Sequence, residues 1–222
     1  MTIIYNDPQG SEAWLEARRG VITGSRFKDA RDYKSLTAAA AKAGKKRGEP
    51  SDKLLGYAMD LARERFGGTV PPVFVNGAMR MGTQEEPVGR LEYEAETGNI
   101  VIEAGFITTD DGRFGVSVDG MVGDDGLIEI KTMVSSKTLF KAVVEGDHSE
   151  YIDQCNGAMW LLGRKWVDLV LWAPDIASAG GKGLHIVRVN RDDDVINELE
   201  ADLMAFLVLV DEFEAKLRLK AA

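Results

Sequence analysis

Cysteine is nearly absent from this chain. Cys155 is the single thiol among 222 residues, so no internal disulfide can form. Zinc or iron–sulfur sites built on four cysteines are excluded. Histidine is almost as scarce, with only His148 and His185, too few and too scattered for a histidine-based site. Long apolar runs are missing too, and none approaches the roughly 20 residues of a membrane span. Residues Met1 to Gly10 lack the basic-then-apolar pattern of a signal peptide. A soluble protein of a reducing cytoplasm, with no membrane partner, is expected. Positive charge is in deficit: 27 Lys and Arg stand against 36 Asp and Glu, for a net charge of -9. That argues against a general nucleic-acid coat, which is usually basic. It does not argue against an enzyme that gathers carboxylates around metal ions.

No segment is rich enough in Pro, Gly or Ser to act as a linker, so one domain over residues 1–222 is expected. Gly10-Ser11-Glu12 reads as a helix start, and that helix carries Trp14 and Leu15 and ends near Arg18-Arg19-Gly20. Ser25 or Thr23 is placed to cap the next helix. Residues 34–50, with Lys42, Lys45, Lys46 and Arg47, read as a poorly specified loop or frayed helix. Ser51-Asp52 caps a helix running to Gly67, with Leu54, Leu55, Ala58, Leu61 and Ala62 at helical spacing. A second helical stretch, about 77–97, contains Pro87.

Three strand-like runs follow, Ile100–Thr108, Arg113–Val122 and Leu127–Met133. The last two are joined by Gly123-Asp124-Asp125-Gly126, a hairpin turn signal. Residues 134–145 and 149–163 read as helices, Val167–Trp172 and Leu184–Asn190 as strands, and Asp192 to Lys220 as a long amphipathic helix. Central strands with helices before, between and after them make a mixed α/β domain.

Three charged residues carry the candidate chemistry. On a strand, Glu129 and Lys131 share one face while Ile130 turns to the other and can be buried. Asp119 lies just before the hairpin. Opposite Glu129, its Cα would be about 4.5–5.5 Å away, and two carboxylates that close need a cation between them. A two-residue Asp124-Asp125 loop would instead set Gly120 opposite Glu129 and turn Asp119 away. An odd-length loop or a bulge is therefore required, and glycine tolerates the left-handed backbone it needs. Carboxylate oxygens suit Mg²⁺ or Mn²⁺, which offset phosphate charge and lower the pKa of a bound water. Lys131 could orient or deprotonate that water. The other reading is an exposed Asp and a Glu/Lys pair on a solvated sheet face. Glu85-Glu86-Pro87 offers a further acid: Pro87 could kink the helix and push Glu86 towards the cleft, or both acids could simply be first-turn residues favoured by the helix dipole.

These residues, in order, resemble a known family. The blocks are Gly10-Ser11-Glu12-Ala13-Trp14 through Arg18-Arg19-Gly20-Val21-Ile22-Thr23-Gly24-Ser25, then Gly82-Thr83-Gln84-Glu85-Glu86-Pro87 through Arg90, Tyr93-Glu94 and Thr97-Gly98. Next come Ser117-Val118-Asp119-Gly120, Glu129-Ile130-Lys131-Thr132, and Tyr151-Ile152-Asp153-Gln154 with Met159-Trp160. The chain resembles the phage lambda exonuclease family, or YqaJ-type viral recombinases, of the PD-(D/E)xK nuclease superfamily. The resemblance implies a restriction-endonuclease-like core, a central mixed sheet flanked by helices. It implies Mg²⁺-dependent digestion of linear double-stranded DNA from the 5′ end, leaving a 3′ single strand for recombination. Asp119 and Glu129 match the metal-binding acids, the Ile130 backbone carbonyl completes a site, and Glu86 matches a helix glutamate near the second metal. Lys131 matches the catalytic lysine and Gln154 the active-site glutamine, with Tyr151 one turn before it. Arg18, Thr23 and Ser25 match a pocket for the 5′-terminal phosphate. A homotrimeric ring and a single-strand annealing partner are implied as well.

Here the superfamily's Pro-Asp is Val118-Asp119, and residues 31–50 have no clear match. An endonuclease or junction resolvase on the same core, or a non-catalytic DNA-binding protein of that fold, are the rival readings. Arg18-Arg19 reads equally as a cationic helix C-terminus, Trp14 as core or as a DNA-stacking ring, and the basic run around 42–47 as solvated surface or DNA contact. Cys155 reads as packing.

Overall fold

A computed structural model describes residues 2–45, 47–68 and 77–221. Lys46 of the basic run lies outside them. The chain opens with a strand, β1 (Thr2–Tyr5), which is not among the expected elements although Thr, Ile and Tyr all favour strands. Helix α1 (Glu12–Arg18) starts as expected: the Ser11 hydroxyl accepts the Trp14 N–H at 3.2 Å. Strand β2 (Ile22–Thr23) runs into a 3-10 turn, Gly24–Arg26, and the short helix α2 (Phe27–Ala30). Neither Thr23 nor Ser25 caps a helix: Thr23 makes no side-chain cap bond and Ser25 lies inside the 3-10 turn. The segment 34–50 forms one short helix, α3 (Ala38–Lys42), and closes on itself through a bridge between Tyr33 and Pro50. Helix α4 (Asp52–Arg65) is capped by Ser51 and buries Leu54, Tyr57, Ala58, Leu61 and Ala62. Helix α5 (Gly77–Thr97) runs through Pro87.

The strands divide differently from the sequence pattern. The run 100–108 splits into β3 (Val101–Ile102) and β4 (Phe106–Thr109), and the run 113–122 into β5 (Phe114–Ser117) and β6 (Gly120–Val122). The halves belong to two sheets, ordered β1-β4-β5-β2 and β3-β6-β7-β8-β9, where β7 is Gly126–Thr132, β8 is Trp166–Trp172 and β9 is Leu184–Asn190. The chain thus crosses between sheets twice, around 103–105 and at 118–119. Gly105 permits the first crossing, since a Cβ there would lie 1.9 Å from the Tyr5 carbonyl oxygen.

Between β7 and β8 come α6 (Ser136–Leu139), a π-helical turn (Phe140–Val144) and α7 (Ile152–Leu162). This connection joins two parallel strands, which cannot be linked by a tight turn. Helix α8 (Pro174–Ser178) precedes β9, and α9 (Asp193–Ala221) closes the chain. The Asp192 carboxylate accepts the N–H of Asp194 at 3.0 Å at the start of α9, and Arg218 and Lys220 sit in its last turn, as the helix dipole favours. Among the described residues, no helix is long and apolar enough to cross a membrane.

Alternation along the central strands builds two apolar layers. Leu127, Val167, Leu169 and Leu171 pack with α4, α7 and α9. Ile128, Ile130, Val170 and Trp172 pack on the other face, with Tyr93 of α5. Gly89 lets α5 lie close to that face: a Cβ would sit 3.2 Å from Ile130 Cγ2 and 3.3 Å from Trp172 Cγ. A buried polar cluster fastens the same helix. Asp168, 2% exposed, accepts the Tyr93 hydroxyl at 2.7 Å and a fork of bonds from Arg188, whose guanidinium also lies 3.6 Å from the Trp166 ring.

Replacing Asp168 with Ala leaves the Tyr93 hydroxyl and Arg188 without their shared acceptor. The expected loss in urea-unfolding free energy is about 2–3 kcal/mol. A loss below about 1 kcal/mol would show that Arg188 and Tyr93 are satisfied without it.

Candidate active site

The hairpin meets the condition set by the sequence. Gly120 pairs with Ile128, Met121 with Leu127 and Val122 with Gly126, so the loop is residues 123–125, an odd length. Gly123, with φ of 52°, supplies the left-handed residue. One step further along this register, Asp119 faces Glu129. Asp119 sits at the crossing between sheets, and its Oδ2 accepts the Ile130 N–H at 2.6 Å. The ladder bond a regular strand would spend there is given to the carboxylate instead.

Glu129 and Lys131 share the face of β7 that looks towards α7, and Ile130 is buried on the other. Lys131 Nζ lies 2.7 Å from Glu129 Oε1, and Gln154 of α7 donates to the same oxygen at 2.6 Å. Lys131 also donates to Gln154 Oε1 at 3.2 Å, which closes a three-membered ring of hydrogen bonds. Tyr151, at the start of α7, has its ring 5.7 Å from the ammonium. The Ile130 carbonyl, expected to complete a metal site, belongs to the β7 backbone between Glu129 and Lys131.

Glu86 enters from α5. The helix begins at Gly77, so Glu85 and Glu86 are mid-helix residues rather than first-turn acids. They diverge. Glu85 accepts the Trp172 indole N–H at 3.1 Å, while Glu86 is held by Arg90 at 3.0 Å. Arg90 also pairs with Glu103. Glu86, Arg90, Glu103, Asp119, Ser117 and Trp14 line a cleft of about 280 Å³ together with Asn6, Asp7 and Gln9.

Crowding of acids shapes the electrostatics. Burial raises Glu129 to about 8, with Asp119 and Glu86 adding to it against the pull of Lys131. Burial and the neighbouring Asp119 raise Glu86 to about 7, against Arg90. Asp119 is raised by burial, against Lys131 and the Ile130 N–H. Burial works to lower Lys131, but Glu129 and Asp119 outweigh it and hold the ammonium charged. Three hard oxygen donors that resist ionisation next to one another fit a divalent cation. Among the described residues, no group of three or more His, Cys, Asp or Glu side chains is drawn together closely enough to hold a metal ion by itself. Mg²⁺ and Mn²⁺ do not need one, since they keep waters and take phosphate oxygens.

Arg18 touches two residues of the cleft lining, Trp14 and Ser117. Its guanidinium lies 4.3 Å from the Trp14 ring centre and 5.1 Å from that of Phe106, and donates to Ser117 Oγ at 3.4 Å. Burial lowers its pKa. Among the described residues, no carboxylate forms a salt bridge with it. A half-buried guanidinium that rests on rings and makes no salt bridge, with Glu64 near enough to act on it, is a candidate for holding an anion. Trp14 is thus neither core nor a free stacking ring. It is the surface on which Arg18 lies. Thr23 is turned inward, 6% exposed, with its N–H given to the Tyr57 hydroxyl at 3.0 Å, while Ser25 is exposed.

Other expected contacts are committed elsewhere. Arg47 pairs with Asp202 at 2.6 Å and lies over Tyr33, and Lys45 pairs with Glu49. Cys155 is fully buried, and burial pushes its thiol up, which makes it a poor nucleophile. The two histidines are not scattered in space: His148 and His185 line one shallow cavity of about 270 Å³, away from the acids. Ser117 and Arg90 are the site residues to which the sequence assigned no role. Each had a signal: Ser117 is two residues before Asp119, and Arg90 stands at the i+4 position that favours pairing with Glu86.

Residues 13–165 match the YqaJ-like viral recombinase domain family. The chain is similar to the crystal structure of an alkaline exonuclease, LHK-Exo, from Laribacter hongkongensis, at 34% identity and a TM-score of 0.77, covering 95% of this chain and 98% of that one. The structure of LHK-Exo in complex with dAMP matches over the same shares at the same identity, with a TM-score of 0.78. A phage-related exonuclease from Haemophilus somnus 129PT shares the fold at 15% identity, with a TM-score of 0.65 over 91% of this chain and 96% of that one. No curated protein sequence matches the chain.

Without metal, the acid cluster must destabilise the protein as it ionises. Glu129 and Glu86 hold their protons to higher pH folded than unfolded, so stability is lost as pH rises from the ordinary carboxylate range through about 7 and 8. In metal-free buffer the melting temperature is expected to fall between pH 6 and pH 9. Asp119→Asn should flatten that fall, because it removes one of the repelling charges. Parallel pH curves for the two proteins would contradict the assignment of mutual repulsion.

Proposed function

Because the chain belongs to the YqaJ-like viral recombinase family, we propose that it digests linear double-stranded DNA from the 5′ end, in the presence of Mg²⁺, and leaves a 3′ single strand for recombination. Family membership makes it a DNA-cleaving hydrolase. One observation carries the mechanism: Asp119, Glu129 and Glu86 lie close enough to act on one another, with a charged Lys131 2.7 Å from Glu129.

In this reading Asp119, Glu129 and the Ile130 carbonyl hold a divalent cation, with Glu86 near a second position. Bound there, the cation would supply charge to the scissile phosphate and acidity to a water. Gln154 holds Glu129 and Lys131 in register, so both present fixed geometry to the reacting phosphate. The Lys131 ammonium donates to the attacking water or to the charge that builds on the phosphoryl oxygens. Tyr151 borders the ammonium. Arg18, with Ser117 beside it and Ser25 and Thr23 in the adjoining turn, receives the 5′-terminal phosphate. A half-buried guanidinium that makes no salt bridge supports end recognition over internal cutting. The homo-oligomer, a trimeric ring by resemblance, and a single-strand annealing partner belong to the same proposal, as does a single nuclease domain over the whole chain.

The test uses linear, 5′-phosphorylated duplex with Mg²⁺, beside covalently closed circular duplex. Linear DNA should be consumed from its 5′ ends and circles should survive. Digestion of circles would favour an endonuclease or resolvase, and binding without digestion a non-catalytic role. Lys131→Ala should lower kcat on the order of 10²–10³-fold while leaving the fold intact. Equal digestion by wild type and Lys131→Ala would overturn the mechanism.

A further inference from the structure

We propose that Tyr57 is a positioning residue for end recognition: its phenol oxygen holds the turn Thr23–Ser25 in place, and that turn sets the preference for a 5′-phosphorylated end. The inference deepens the exonuclease reading above and rests on it.

Strand β2 is an edge strand, so the outward N–H of Thr23 has no neighbouring strand to bond. Helix α4 covers it, and the Tyr57 hydroxyl accepts that N–H at 3.0 Å. The phenol ring cannot follow a wandering turn. It is 3% exposed, stacks on Phe206 at 5.2 Å, and is covered by the Arg26 guanidinium at 3.8 Å. Its oxygen is therefore a fixed point, placed by helix packing and not by the turn it holds.

The same helix grips the loop at its other end. Glu64 accepts the Gly20 N–H at 2.8 Å, and Arg65 donates to the Gly20 carbonyl at 2.8 Å. Arg18 lies just before this grip and Ser25 just after the Tyr57 bond. On the far side the turn is wedged against the acid site: a Cβ on Gly24 would lie 2.8 Å from Val116 Cγ1 and 3.9 Å from Gln154 Cγ. The loop from Arg18 to Ser25 is thus held between α4 and Gln154. Reaction geometry of this kind is sensitive to small displacements. A terminal phosphate, recognised by Arg18 and its neighbours, feels such a shift. A terminal 5′-hydroxyl makes no charged contact and does not.

Tyr57→Phe removes the oxygen and keeps the ring. The readout is the ratio of kcat/KM on 5′-phosphoryl duplex to kcat/KM on 5′-hydroxyl duplex, measured in Mg²⁺. The ratio is expected to fall about fivefold or more in the variant, mainly through a higher KM on phosphorylated ends. A role confined to stability would lower both rates together and leave the ratio at the wild-type value, which overturns the inference. Should the variant melt below the assay temperature, Gly24→Ala displaces the same turn from the side of Val116. It must lower the ratio as well, and an unchanged ratio there also overturns the inference. A wild-type ratio near one would instead overturn the 5′-phosphate reading on which this rests.

Discussion

Three carboxylates that repel one another are held close together, and the arrangement around them is best understood as restraint against that repulsion. Asp119 is fixed by the Ile130 N–H, Glu129 by Lys131 and Gln154, and Glu86 by Arg90. The restraints come from three elements. β7 supplies the backbone bond and the lysine, α7 the glutamine, α5 the arginine. Without such over-determination the acids would separate.

The need to converge those elements explains otherwise odd features of the fold. The two crossings between sheets place Asp119 where the chain leaves one sheet and enters the other, so its carboxylate can use a backbone donor that a continuous strand would occupy. Gly89 removes the side chain that would keep α5 off β7 and β8, and thereby brings Glu86 within reach of the other acids. The Asp168 cluster anchors the same helix from below. Stability invested in α5 is in this sense stability invested in the position of Glu86.

The acids and Arg18 differ in charge. On one side are oxygen donors and a charged lysine. On the other is a guanidinium lying on aromatic faces, where burial has stripped some of its water. Under the function proposed above, a nucleic-acid end would bring a phosphate to each: the scissile one to the acids, a terminal one to Arg18. The acidic net charge of the chain is compatible with this, because attraction is local and the cations that balance the acids arrive from solvent.

Local rules were enough to read much of this from the chain. Ser11 and Ser51 announced their helices, because a hydroxyl capping an N–H three residues on is a local event. Alternation placed Glu129 and Lys131 together, and parity required an odd loop or a bulge within 123–126. Contacts between distant segments were out of reach. The strands at 101–109 and 114–122 look continuous in sequence, and only packing against β1 and α5 divides them. Tyr57 meets Thr23 across 34 positions, and Arg18 finds Ser117 across 99, with no pattern in either segment that names its partner. His148 and His185 share a cavity for the same reason. By itself the sequence determined the face each charged residue takes on its own strand or helix, since backbone geometry repeats every two or 3.6 residues. Which faces then meet was decided by the tertiary structure, because that depends on how whole layers pack.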